Sequence, residues 1–306
     1  SAGPAPAVAE PRDLDLPGDG VRLRATRWPG SSPAVLLLHG LASTRHVWDL
    51  VVPHLRGGPG AAPAVVALDQ RGHGDSERPE GPYDGAAVVR DALTALDALG
   101  LDRVVVVGHS WGATTALRLA ADAPSRVLAC VAVDGATGLP GGEDRAARRA
   151  RLTPPRLALS PDELEARLSA GPLGPWWSPE VAAAVRSLFA VGDDGLARAR
   201  LPFDAHMAVL DDLLDTDHED LWSRVRCPAW LVGCLPAGPP DDWAAAKHRA
   251  LDRAAELLAL PRVLRWTGAV HDVPLQWPAL VAGAVRTARD ELPHVWPAPG
   301  REGVAP

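Results

Sequence analysis

The 306-residue chain has no isoleucine, no asparagine and one lysine, Lys247, among 31 basic residues. Arginine, alanine, glycine and proline fill the vacated places. This is the bias of high-GC, actinobacterial-type coding, and it strips Arg-for-Lys and Val-for-Ile choices of functional meaning. Three cysteines, Cys130, Cys227 and Cys234, show neither the pairing of a disulfide framework nor metal-ligand spacing. They lie in or beside apolar runs and are expected to be reduced core residues. A net charge of −7 argues against a nucleic-acid-binding surface, which needs locally dominant Lys and Arg. The one basic cluster, Arg145, Arg148, Arg149 and Arg151, is expected to be a solvated helix face. No run of about 18 apolar residues occurs, and the first residues lack the charged-then-apolar order of a signal peptide. The expectation is a cytoplasmic protein, monomer or homodimer, that engages neither membrane nor nucleic acid.

What is present describes a globular core: 47 % hydrophobic and 23 % charged residues. Short apolar runs alternate with helical patterns, the mark of a mostly parallel α/β sheet with crossover helices. Val21 to Trp28 belongs to an opening hairpin, and strands are expected at Ala34 to Leu38, Val65 to Leu68, Arg103 to Val107 and Val127 to Val133. Helical spacing marks His46 to Leu55, Gly85 to Leu99 and Ala113 to Asp122. From about Gly138 to Leu221 the rhythm becomes helical and proline-broken, with no convincing strand. Ala229 to Val232 resumes the sheet, followed by helix Asp241 to Leu258, strand Arg262 to Trp266 and helix Pro278 to Glu291. The organisation expected is a core of residues 1–137 and 223–306 with a helical cap, 138–222, inserted after the strand ending at Val133. Residues 1–10 are expected to be disordered and the tail from Pro293 loosely docked.

Gly108-His109-Ser110-Trp111-Gly112 sits between the run Val104 to Val107 and a helix, the setting of a nucleophile elbow. A serine hydroxyl is a poor nucleophile at neutral pH, so it must be lifted from the backbone, placed beside a base and faced by amide donors. The strand-turn-helix supplies that lift, and the Trp111 amide lies where the helix N-terminus favours an anion. The base is expected at His271, in the loop after the last strand. The other histidines, including His54, His206, His218, His248 and His294, read as surface or capping residues. The apolar strand Leu36-Leu37-Leu38 ends in His39-Gly40-Leu41, whose Leu41 amide is the natural second oxyanion donor, with His39 bracing the turn. In Asp69-Gln70-Arg71-Gly72-His73-Gly74-Asp75-Ser76, Asp69 and Arg71 are expected to pair, and Asp75 to face solvent.

These motifs, together with Gly268-Ala269-Val270-His271, resemble those of the α/β-hydrolase fold over roughly Val21 to Leu292. The resemblance implies a mostly parallel sheet flanked by helices and a Ser, acid, His order along the chain. It also implies a reaction without metal or organic cofactor. Similar haloalkane dehalogenases and epoxide hydrolases carry Asp at the elbow, and dienelactone hydrolases Cys, so Ser110 disfavours those chemistries. The family's usual acid turn, after the strand Ala229 to Val232, holds no carboxylate here until Asp241 and Asp242, which also read as helix N-caps. Some relatives place the acid after the preceding strand, where Asp134 stands. Asp134 is therefore preferred, with Asp241 or Asp242 as alternatives.

Eleven tryptophans against one tyrosine and two phenylalanines suggest an aromatic, largely apolar binding cavity. Its expected lining is His39, Gly40, Trp48, Trp176, Trp177, Phe203 and Met207. The function expected is hydrolysis of an ester, lactone or thioester of a hydrophobic small molecule through an acyl-enzyme. A proline-iminopeptidase-like or carbon–carbon bond hydrolase is the alternative within the fold. A non-hydrolytic ligand receptor or cyclase is the alternative of another class.

Overall fold

Alternating apolar strands and capped helices resolve into one layered arrangement in the computed structural model, which describes residues 10–58, 60–138, 144–239 and 241–292. Residues 1–9 and the tail from 293, expected to be loose, lie outside the described residues. Strands β1 (Arg12–Pro17) and β2 (Arg22–Trp28) form the opening antiparallel hairpin, followed by β3 (Ser31–Leu38). The stretch read as a helix over His46 to Leu55 is instead a short 3-10 turn, Arg45–Trp48, followed by α1 (Val51–Arg56). Then come β4 (Pro63–Leu68), α2 (Gly85–Ala98), β5 (Val104–His109), α3 (Trp111–Asp122) and β6 (Val127–Val133). Helix α2 starts where the Asp84 carboxylate accepts from the Ala87 amide at 2.9 Å, an N-cap of the usual kind.

The inserted segment holds α4 (Arg145–Leu152), α5 (Pro161–Ser169), α6 (Pro179–Arg186), β7 (Phe189–Val191), β8 (Ala197–Ala199), α7 (Phe203–Asp215) and α8 (His218–Arg224). Ser160 and Glu163 close a capping box at the start of α5. The antiparallel pair β7 and β8 corrects the strand-free expectation for this region; three-residue strands around Gly192 to Gly195 are too short to leave a period-2 signal. The basic cluster lies on a helix that buries no residue, as expected, and also makes ion pairs. Arg145 reaches Asp215 and Arg149 reaches Asp211, fastening α4 to α7. Helix α8, counted with the cap by the sequence, packs on α3 and buries Leu221 and Trp222 in the core beside the sheet.

The chain returns through β9 (Ala229–Leu235), α9 (Asp242–Leu257), β10 (Pro261–Thr267), α10 (Val273–Gln276) and α11 (Pro278–Asp290). Eight strands form a single sheet in the order β1-β2-β4-β3-β5-β6-β9-β10. Only the pairings of β2 with β1 and with β4 are antiparallel; from β4 onward every pair is parallel. Residues Val104 to Val107 of the central β5 are fully buried. Their alternate side chains enter two cores: Val104 and Val106 one, Val105 and Val107 the other. Burial on both faces explains why the run reads as continuous valine instead of alternating, each side chain contributing about 1.5–3 kcal/mol. In the parallel registers Leu38 is opposite Gly108, His109 opposite Val133, and Val133 opposite Val232. The C-terminal ends of these strands therefore meet at one edge, where sites form in open α/β sheets.

Candidate active site

Ser110 leaves β5 with φ 56° and ψ −120°, a strained conformation for a residue bearing a side chain. It is held there by its amide donating to Val133 O at 2.9 Å and by Ala113 N donating to Ser110 O at 3.0 Å. Helix α3 can descend this steeply because Gly108 has no Cβ: one placed there would lie 1.9 Å from Gly112 O. Trp111 opens the helix, so its amide has no intrahelical acceptor. Across from it the turn His39 to Leu41 presses on the elbow, and a Cβ on Gly40 would lie 3.0 Å from the Ser110 Cβ. Leu41 and Trp111 both face the cavity above Ser110.

Two buried histidines fix that turn. His39 Nε2 accepts from Gln70 N at 3.0 Å, so its Nδ1 carries the proton and donates to Gly40 O at 2.7 Å. His73 repeats the pattern: Nε2 accepts from Ala42 N at 3.1 Å and Nδ1 donates to Arg71 O at 2.9 Å, while the ring stacks on Trp111 with centroids 5.2 Å apart. Burial pushes His39 down to about 4 and His73 to about 3, keeping both neutral. His39 thus braces the turn, as expected, but is sealed behind it.

His271 lies just beyond β10. Its Nε2 is 3.0 Å from Ser110 Oγ and its Nδ1 is 2.6 Å from Asp134 Oδ2. The ring faces the cavity, leaving 56 % of its side chain open, whereas the Asp134 side chain is only 3 % exposed. Gln276 ties the loop by accepting from Val270 N at 2.7 Å and donating to Gly268 O at 3.0 Å. From beneath, His109 Nε2 donates to the His271 carbonyl at 2.7 Å.

Asp134 stands at the tip of β6 with φ 47°. Its other oxygen, Oδ1, accepts from Cys234 N at 2.8 Å and from the Lys247 ammonium of α9. Burial would raise this carboxyl, but the hydrogen bond and charge of His271 and the charge of Lys247 outweigh it and hold the group at about 2. For His271, burial acts downward and the Asp134 bond and charge overcome it, so the imidazole is more basic than usual.

The alternative acids lie elsewhere. Asp241 accepts from Ala244 N at 2.7 Å as the N-cap of α9, and Asp242 occupies that helix's first turn. In the glycine-rich turn after β4 Asp75 is exposed, as expected, but the expected Asp69–Arg71 pair does not form. Asp69 pairs with Arg45, Arg71 with Asp91 through Nε at 2.6 Å, and Asp75 bridges Arg45 and Arg200. The sequence neighbours Asp69 and Arg71 project apart, each toward a partner from another element.

Above Ser110 lies a cavity of about 380 Å³. The cap closes it with Arg151 and Leu152 of α4, His206, Leu210 and Leu213 of α7, and His218 of α8; the core adds Trp243 and Lys247. The particular aromatic residues expected from the sequence are not there; the tryptophans that line the cavity are Trp111 and Trp243. Trp48 is fully buried beside α1, and Met207, 7 % exposed, does not line the cavity. Phe203 packs under the Arg156 guanidinium, 3.7 Å from the ring centroid. Trp177 lines a separate cavity of about 310 Å³ with Asp272 and Leu173, and Trp176 and Gly40 face neither space. His206 and His218, read as surface residues, are wall residues instead. Nothing in the sequence marked Lys247 beyond its being the sole lysine.

Among the described residues no group of three His, Cys, Asp or Glu side chains is placed to hold a metal ion, and no helix is long and apolar enough to cross a membrane.

The family described as alpha/beta hydrolase fold matches residues 33–175. A lipase of Mycobacterium tuberculosis, Lipase LipV, is 30 % identical over 271 residues, 87 % of this chain and 97 % of the lipase. A fluoroacetate dehalogenase from Burkholderia is 38 % identical over 110 residues, 34 % of this chain; the match spans only 35 % of the dehalogenase. Among solved structures, E-2-(acetamidomethylene)succinate hydrolase superposes with a TM-score of 0.76 at 25 % identity, over 92 % of this chain and all of that one. These relatives are hydrolases on the fold found here, and the chain belongs to the alpha/beta hydrolase family.

Proposed function

We propose that this protein is a serine hydrolase that cleaves an ester, lactone or thioester of a largely apolar small molecule. The observation that carries the reading is the unbroken hydrogen-bond chain from Asp134 through His271 to Ser110 Oγ at the floor of a cavity. With Asp134 ionised, Nδ1 of His271 keeps its proton and Nε2 presents a lone pair to the serine hydroxyl. Ser110 attacks the carbonyl carbon as His271 takes its proton. The Leu41 and Trp111 amides receive the charge on the carbonyl oxygen. His271 then returns the proton to the leaving group, and water, activated by the same base, releases the acid.

The nucleophile also separates acyl chemistry from that named for the dehalogenase relative. Displacement at a saturated carbon by Ser110 would leave an ether, which water does not cleave, whereas attack on a carbonyl leaves a hydrolysable ester. An aminopeptidase reading needs carboxylates to grip a free amine, and among the described residues Asp134, already paired, is the only acidic one lining the cavity.

Treatment with a fluorophosphonate probe tests the reading by intact mass. One adduct on the native chain, absent from Ser110→Ala, is expected. An unlabelled native chain that binds a single apolar ligand tightly would replace this reading with a receptor role. Given labelling, ester, lactone and thioester substrates with acyl groups suited to about 380 Å³ are the panel to assay.

A further inference from the structure

The only lysine of the chain is not on its surface. Lys247 sits on the second turn of α9 at 5 % exposure, with its ammonium on Asp134 Oδ1 and 4.6 Å from the centroid of the Trp243 ring one turn earlier. The opposite oxygen of the same carboxylate holds His271. Placing a buried cation one carboxylate away from the group that must become an imidazolium has a cost, because it opposes the charge that forms there. We propose that Lys247 is a positioning residue for the hydrolase chemistry above: it clamps Asp134 by its outer oxygen and, by offsetting that carboxylate's charge, sets the pH range in which His271 is a free base.

The charged and titratable groups around His271 make the sign definite. Asp134 from β6 and the neighbouring Asp272 favour its protonated form, and Lys247 from α9 opposes it. His109 of β5, pushed down to about 4 chiefly by burial, is neutral near pH 7 and adds a dipole but no charge. The Cys234 thiol beside Asp134 is pushed up by burial and is likewise uncharged. Lys247 is thus the cation bonded directly to the His271 partner Asp134, while Arg151 of α4 is a second cation lining the cavity. Removing Lys247 leaves Asp134 bonded to Cys234 N and His271 but makes its full charge available to the imidazole. The free-base range of His271 should then retreat to higher pH.

The inference rests on the serine-hydrolase reading for its meaning but not for its test. The measurement is an NMR pH titration of the His271 Hε1 proton in the native chain, Lys247→Gln and Lys247→Arg, run alongside the pH dependence of the fluorophosphonate labelling rate. In K247Q the His271 midpoint is expected to rise by about one pH unit, with the acidic limb of labelling moving by the same amount. K247R, which keeps the charge, is expected to stay with the native chain. A K247Q midpoint equal to the native one would overturn the proposal and leave Lys247 as packing alone. Should K247Q not fold, Lys247→Met with the shape retained gives the same titration. An unlabelled native chain would count against the hydrolase reading, while the titration would still decide the role of Lys247.

Discussion

Asp134 divides its two oxygens between two sets of partners, His271 on one and Lys247 with Cys234 N on the other. Because its carboxyl is held at about 2, it stays ionised through the working range and fixes the His271 tautomer. Asp134→Asn should therefore lower kcat by roughly 10³–10⁴-fold and, by leaving the buried Lys247 ammonium without its carboxylate, cost about 3–5 kcal/mol of stability. Asp241→Ala should leave kcat unchanged and cost about 1 kcal/mol of stability through the lost helix cap. Steady-state rates and urea unfolding of the two variants separate the roles. The sequence made Asp134 preferable because it follows a strand adjacent to that of the nucleophile. It could not show Lys247 arriving from a helix more than a hundred residues away. The same limit misassigned Asp69 and Arg71. Residues two apart in a turn look like a pair, yet their partners are Arg45 and Asp91, brought in by tertiary packing.

Elements were legible where their signals are local. The elbow needs only a buried strand, two glycines and a helix in succession, and β5, Ser110 and α3 stand where the pattern put them. The cavity wall was not legible, because which face of α7 looks inward depends on how α4 is fastened to it by the Arg145–Asp215 and Arg149–Asp211 pairs. The cap's large aromatic residues went elsewhere, and on α7 leucines took the wall. Leu210 and Leu213, three apart on α7, form one ridge over Ser110. Enlarging that ridge with Leu210→Trp should raise KM for long acyl esters at least tenfold, while a short acetyl ester is turned over nearly as before. A chain-length series with p-nitrophenyl esters measures this, and a uniform loss across lengths would show that α7 does not bound the acyl group.

At the scale of the molecule, His39, His73, His109 and His218 are all held well below the usual histidine value, chiefly by burial. Between about pH 6.5 and pH 4 the unfolded chain binds protons at these positions that the native chain refuses, so stability falls as pH falls through that window. His271, raised in the fold, contributes in the opposite direction, with stability present at low pH and lost as pH rises through its native value. With His206 also lowered by burial and His46 also raised, by its bond to Asp49, five groups against two leave the net slope positive. Urea midpoints at pH 7 and pH 5 should drop accordingly; an unchanged midpoint would mean that these imidazoles titrate in place. Two of the five, His39 and His73, accept the Gln70 and Ala42 amides through Nε2, so acid should loosen the oxyanion turn as it destabilises the whole.

A chain with a single ε-amine, sealed against Asp134, carries its own clock for opening. Acylating reagents aimed at lysine have one such side chain to find, and it can react only when its ammonium has left Asp134. The rate at which that amine becomes modified, followed by mass, would time how often the catalytic floor comes apart, and a ligand filling the cavity above should slow it.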